Sequence, residues 1–294
     1  MKIYLIVALC LTLQFTLLCQ NEANGVSYEF KNPDVQITLP DTLREISGFT
    51  VIDNETVACV QDENGIIFIY DIKKQKIKRQ FKFSENGDYE GITVVSNTLY
   101  VLRSDGLLFE IENYNSKKPS VKKYLTGISC SNSEGLCYLD ETNSLLIACK
   151  GKSTIQTNKP FNRLIYSFNL TTHKLEVKPY LELDRSELTA FAQNHHFNFA
   201  KRKTKNGKVT EIPFKINPSE IAIHPITKDI YILSATDYCL FIYSKDKKLK
   251  HIEPLDKTMF NKAEGLSFLA NGDLLISNEG KLRKADMLFF KYKP

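Results

Sequence analysis

Apolar positions in this chain fall in short runs with a two-residue alternation, not at helical spacing. Thr56 to Val60, Ile66 to Tyr70, Leu99 to Leu102, Leu107 to Ile111, Leu145 to Ala148, Leu164 to Phe168, Ile230 to Leu233, Leu240 to Tyr243, Leu274 to Ile276 and Met287 to Tyr292 are rich in β-branched, aliphatic and aromatic residues. Polar or glycine-containing turns separate them, among them Asp62-Glu63-Asn64-Gly65, Ser104-Asp105-Gly106, Lys150-Gly151 and Asn278-Glu279-Gly280. Runs of this kind between such turns predict antiparallel strands.

The runs also recur in groups. A Glu followed by small and aliphatic residues opens each group: Glu45-Ile46-Ser47-Gly48, Glu90-Gly91-Ile92, Glu134-Gly135-Leu136, Glu220-Ile221-Ala222 and Glu264-Gly265-Leu266. The intervals are 90−45 = 45, 134−90 = 44, 220−134 = 86 and 264−220 = 44. A period near 44 with about four strands in each repeat is that of a β-propeller blade. The predicted fold is therefore all-β, a single propeller of four-stranded antiparallel blades spanning residues 26–294. The last repeat ends at Pro294 after three strands, and Val26 to Leu39 has strand-like content, so this N-terminal segment is expected to complete the last blade and remove an open edge. The doubled interval is assigned to an insertion of solvated chain at about 184–217, which makes five blades the preferred count. A degenerate blade there would make six.

Residues 1–19 read as a secretory signal, with an apolar run from Ile3 to Leu18 followed at once by polar chain. Thr16-Leu17-Leu18-Cys19 resembles a bacterial lipoprotein processing box, with Leu18 where a small residue is usual. Export to the periplasm or cell envelope is the expectation, with membrane association only through the signal or a lipid on Cys19. Composition is that of an ordinary globular chain: 294 residues, 43% apolar and 25% charged. The net charge of +5 is too small and too evenly spread to suggest a nucleic-acid partner. The five cysteines after the leader include no C-x-x-C pair, which predicts no disulfide scaffold; Cys130 with Cys137 is the pair worth testing.

The segments Leu43-Arg44-Glu45-Ile46-Ser47-Gly48, Asp88-Tyr89-Glu90-Gly91-Ile92, Ser133-Glu134-Gly135-Leu136, Pro218-Ser219-Glu220-Ile221-Ala222-Ile223-His224-Pro225 and Ala263-Glu264-Gly265-Leu266, with Ile276-Ser277-Asn278-Glu279-Gly280, resemble in order and spacing the SdiA-regulated (YjiK-like) propellers of bacterial envelopes. That resemblance implies an exported propeller, often membrane-associated, with calcium binding as its chemistry. It implies no particular substrate.

In a propeller the first strand of each blade lines the axis, so Glu45, Glu90, Glu134, Glu220 and Glu264 are expected to meet at one mouth of the channel. Crowded carboxylates need compensation. Ca2+ supplies it with oxygen ligands in loose geometry, and Asn278 or Glu279 would add donors. The alternative is structural: each Glu accepts backbone N–H groups as a clamp between blades, and Lys150 neutralises part of the ring. His195-His196 is read as a surface pair on extended chain and His224 as a turn residue. The basic stretches 73–82 and 201–208 are read as solvated hairpins. No nucleophile elbow, phosphate loop or H-E-x-x-H pair occurs. The functional expectation is a calcium-stabilised module that binds a small ligand or an envelope protein; the alternative is a metal-dependent hydrolase of lactones or phosphate esters.

Overall fold

Strands packed between two neighbours must be apolar on both faces, whereas a strand at the rim needs only one apolar face, and the chain sorts its runs accordingly. The computed structural model describes residues 26–152, 159–204, 206–281 and 283–294. The segment read from the sequence as a signal, with Cys19, lies outside the described residues.

The first strand is β1 (Val35–Thr38). Blade one follows with β2 (Ile46–Asp53), β3 (Thr56–Gln61), β4 (Ile66–Asp71) and β5 (Lys76–Lys82). Blade two is β6 (Tyr89–Val95), β7 (Thr98–Arg103), β8 (Leu107–Glu112) and β9 (Ser120–Leu125). Blade three contains β10 (Ser133–Leu139), β11 (Ser144–Cys149) and β12 (Arg163–Asn169), and its outer strand is split into β13 (Lys174–Leu175) and β14 (Leu181–Leu183), both paired with β12. Next come helix α1 (Arg185–Asn194) and the hairpin β15 (Lys201–Lys203) and β16 (Val209–Glu211). Blade four is β17 (Glu220–Ile223), β18 (Ile230–Ser234), β19 (Cys239–Tyr243) and β20 (Leu249–Pro254). Blade five is β21 (Ala263–Phe268), β22 (Leu274–Asn278) and β23 (Asp286–Phe290), with β1 on its outer edge. The described residues thus form a five-bladed propeller, the preferred count, and the N-terminal strand closes it in the register Val35↔Phe289 to Thr38↔Asp286.

Blade one shows the sorting. Thr56 to Val60 of β3 is buried throughout, while β5 alternates exposed Lys76, Lys78, Gln80 and Lys82 with half-buried Ile77, Arg79 and Phe81. Five apolar clusters result, one at each blade-to-blade interface. At the seam, Tyr28 and Phe30 enter the cluster between blades four and five, and the Tyr28 hydroxyl donates to the Gly272 carbonyl at 2.6 Å.

Segment 184–217 is more ordered than solvated chain. Asp184 caps α1 by accepting the N–H groups of Ser186 (2.8 Å) and Glu187. Leu188, Ala192, Phe199, Phe214 and Ile216 are buried in the cluster between blades three and four. His195 and His196 are exposed, as expected, but they follow the helix instead of lying on extended chain: the His195 ring stacks on Phe191 with centroids 4.0 Å apart. His224 has the turn role expected of it, its Nδ1 accepting from the N–H groups of Ile226 and Thr227. Burial pushes its pKa down to about 4, which keeps the ring neutral.

The cysteine reading needs correcting. Cys130 is bonded to Cys149, with Cα atoms 6.1 Å apart, while Cys59, Cys137 and Cys239 are free and buried. Strand register is the reason. Pairing of Ser133 with Cys149 brings the chain before β10 alongside the end of β11, whereas Cys137 lies inside β10 and packs in the core between blades three and four.

Glycines permit the inner strands to approach. A Cβ on Gly48 would lie 2.7 Å from the Glu90 carbonyl oxygen, and one on Gly91 would lie 2.6 Å from that of Glu134. Gly91→Ala is expected to lower stability by about 1–3 kcal/mol through overpacking, measurable by urea unfolding. An unchanged midpoint would show that the inner strands can spread.

Candidate functional site

Bulges aim side chains out of a regular ladder, and the inner strands carry them where the repeated Glu residues begin. The register slips between Tyr89 and Gly91 in β6, between Ser133 and Leu136 in β10, and between Ala263 and Gly265 in β21. Glu90, Glu134 and Glu264 are therefore presented at equivalent positions at one end of the channel. The same slip in β2 lies between Ile46 and Gly48, which puts Ser47 at the corresponding position in blade one. Glu45 lies two residues earlier, half-buried, where its charge acts on Asp62. In β17 no slip accompanies Glu220, which pairs in register with Leu233. The predicted five-membered ring is thus three bulged carboxyls, with a serine in the fourth such place and a differently placed Glu in blade four.

Glu220 acts as the clamp. It is 1% exposed, and its Oε1 accepts N–H groups from Ile221 of its own strand (3.0 Å) and Leu136 of β10 (2.9 Å), tying blade four to blade three. Its Oε2 is buried without a hydrogen-bond partner. Burial raises its carboxyl well above the ordinary range, against the lowering effect of the two N–H groups.

The other three carboxyls share few cations. Glu134 Oε1 accepts from Lys150 Nζ at 2.7 Å and from the Asn132 side-chain amide at 2.8 Å. Lys262 Nζ lies 3.6 Å from Glu264 and is paired more closely with Glu279. Glu90 feels the charges of Glu134, Asp88 and Glu264, offset only by Lys150. Burial, then this crowding, pushes Glu90 up to about 9. Glu134 is pushed up to about 7 by burial, Lys150 holding it lower than it would otherwise stand. Lys150 itself is raised: burial opposes its charge, but Glu134, Glu264 and Glu90 together outweigh that.

Several buried side-chain oxygens of these blades have no hydrogen-bond partner. Besides Glu220 Oε2, the oxygens Asp62 Oδ1, Asn132 Oδ1, Asn278 Oδ1 and Ser277 Oγ are buried with no partner. Asn278 uses its amide nitrogen on the Met259 carbonyl and Asp286, so its oxygen is the free end. These donors are all oxygen, the chemistry a hard cation prefers. Among the described residues, however, no three Asp, Glu, His or Cys side chains are gathered into a ready-made metal site. Lys150 stands against Glu134 where a cation would meet that carboxylate.

Ser47, Asn132, Asp62 and Lys262 carry no sign in a repeat defined by its Glu residues. Alignment on glycine finds the first of them: 91−48 = 43 and 135−91 = 44, with Ser47 before Gly48.

No protein-family profile matches the chain, and no curated protein matches it. Among solved structures, the chain is similar to glutaminyl cyclase of Myxococcus xanthus at 12% identity, over 89% of this chain and 96% of that one, with a TM-score of 0.56. It is also similar to virginiamycin B lyase of Staphylococcus aureus at 12% identity, over 87% and 98%, with a TM-score of 0.49. The likeness to the cyclase is one of β-propeller architecture.

Proposed function

We propose that the chain is an exported, non-catalytic binding propeller of the SdiA-regulated type, whose axial carboxyls Glu90, Glu134 and Glu264 take up Ca2+ in competition with Lys150 and protons. The observation that carries this reading is the presentation of three carboxyls by equivalent bulges at one mouth, with Lys150 paired to Glu134 and Lys262, held more closely by Glu279, near Glu264. The amide oxygen of Asn132, whose nitrogen donates to Glu134, supports it as a further acceptor without a donor. Bound there, Ca2+ would supply positive charge and cross-link the inner strands of three blades. A small ligand or an envelope protein would then be held on the face above the mouth. Export is supported by the apolar leader and by the Cys130–Cys149 bond, since disulfides persist in oxidising compartments.

Thermal unfolding after chelation tests the reading. Restoring Ca2+ to about 100 times its dissociation constant is expected to stabilise the fold by about 2.7 kcal/mol. For a chain of this size that corresponds to a rise of roughly 4–6 °C. The rise should disappear in a Glu90→Gln, Glu264→Gln variant, and a rise that survives both changes would place the cation elsewhere. The hydrolase alternative would use the same axial carboxyls, both of which burial raises above the ordinary range. Turnover of lactones or phosphate esters that is lost in Glu90→Gln would replace the binding reading.

A further inference from the structure

The disulfide joins the two short segments that supply both donors to Glu134. Cys130 lies two residues before Asn132, whose amide nitrogen donates to Glu134 Oε1 at 2.8 Å; Cys149 immediately precedes Lys150, whose ammonium meets the same oxygen at 2.7 Å. The backbones interlock as well. The Asn132 carbonyl accepts from the N–H groups of Lys150 and Gly151, each at 3.0 Å, and the Ser131 N–H donates to the Lys152 carbonyl at 3.2 Å. A Cβ on Gly151 would come within 2.2 Å of Ser131 Oγ, so the contact is tight. On its other side the Lys150 carbonyl accepts from Arg163 Nε at 2.8 Å. The two residues differ in exposure: Cys149 is 1% exposed, while Cys130 is only half-buried on the irregular chain between β9 and β10.

We propose that the Cys130–Cys149 disulfide is a redox latch on the axial site: closed, it holds Lys150 against Glu134 and opposes entry of an outside cation; opened, it lets Lys150 withdraw and admits the cation. This rests on the reading that the axial carboxyls bind Ca2+. The opening step is thiol–disulfide exchange with a dithiol. Its thiolate attacks the sulfur of Cys130, the less buried of the two residues, the S–S bond breaks, and Cys149 leaves as a thiolate that takes a proton. The second thiol of the reagent then displaces Cys130 from the mixed disulfide, so that the protein gains two electrons and two protons and the dithiol becomes a cyclic disulfide. Far apart from Glu90 and Glu264 in sequence, Cys130 and Cys149 are brought beside Glu134 by the pairing of β10 with β11.

The test compares the oxidised chain, the chain reduced with dithiothreitol and freed of reagent under argon, and Cys130→Ser. Two readouts are taken: calorimetric Ca2+ affinity, and the rate at which acetic anhydride acetylates Lys150, followed by peptide mass. Reduced protein and Cys130→Ser are expected to bind Ca2+ about tenfold more tightly than oxidised protein, a coupling of ordinary size. Lys150 should be acetylated several-fold faster once the bond is open, and Lys150→Met should bind tightly whatever the state of the cysteines. Equal affinity and equal acetylation in both redox states, with circular dichroism unchanged, would overturn the latch and leave the cation reading standing. Weaker binding, or loss of the fold on reduction, would overturn it too, by showing the bond to be a structural staple. Absence of Ca2+ binding in every form, Lys150→Met included, would instead remove the cation reading, and the acetylation rates would then decide the latch alone.

Discussion

Lys150→Met is expected to cost the metal-free protein about 3–5 kcal/mol at alkaline pH, the range found when one partner of a buried ion pair is removed. Glu134 is the reason: its side chain is 3% exposed, and Lys150 is its cationic partner. Without that ammonium the carboxyl must stay ionised against burial and its neighbours, or take up a proton. Because the proton is easier to find in acid, the loss should shrink as pH falls. Adding Glu134→Gln should restore most of the stability, since the amide carries no charge to strand. Ca2+ should rescue the single variant more than it stabilises the wild type, because the cation then meets a carboxylate with no competitor. Denaturant unfolding of the two single variants and the double variant, with and without Ca2+, measures all of this. Full additivity of the two changes would mean that the pair does not act as a unit.

The second large effect is a loss of stability with rising pH. Glu90 is held near 9 in the fold and titrates near 4.5 when unfolded, so between these values the folded state keeps a proton that the unfolded chain has released. The folded state binds more protons, and stability therefore falls as pH rises through the window, by up to about 1.4 kcal/mol per pH unit for one group. Glu134 adds to the fall only up to about 7. His224 acts with the opposite sign lower down: it is held near 4 against 6.5 unfolded, so its contribution grows as pH rises between those values. Between pH 7 and 9 Glu134 and His224 no longer contribute, and Glu220, also raised by burial, adds to the fall equally in wild type and in Glu90→Gln. There the unfolding temperature of metal-free wild type should drop steadily and that of Glu90→Gln should drop distinctly less. Parallel profiles would show that Glu90 is ionised throughout.

The same residues show how far the sequence could be read. Strand runs and their turns were legible because a propeller repeats one unit. Closure by Val26 to Leu39 was legible because the last repeat runs out of chain. Lys150 was legible as a neutralising charge because it follows the second strand of blade three, and the structure places it on Glu134. The five-membered ring was only partly legible. Glu90, Glu134 and Glu264 are each followed by glycine and each associated with a bulge; Glu220 is followed by Ile221 and has none; in blade one the bulge falls on Ser47. Bulges are backbone events, and a pattern built on the carboxylate letter does not report them. The Cys130–Cys149 bond was hidden for a related reason, since it depends on the register of β10 against β11 and not on spacing along the chain. Helix α1 did leave a sign, Asp184 with Glu187 three residues on, but it lies in a segment judged by its polar and basic content.

The central claim is that a cation enters the axial mouth at the expense of a proton on Glu90, and calorimetric titration of Ca2+ into chelated protein at pH 7.5 in two buffers of different ionisation enthalpy tests it most directly. The account predicts one site for each chain and release of a proton when it fills. Glu90→Gln should bind without releasing that proton, and the Glu90→Gln, Glu264→Gln pair should not bind. Absence of binding heat in either buffer, or binding with the same affinity and proton count in all three proteins, would contradict it.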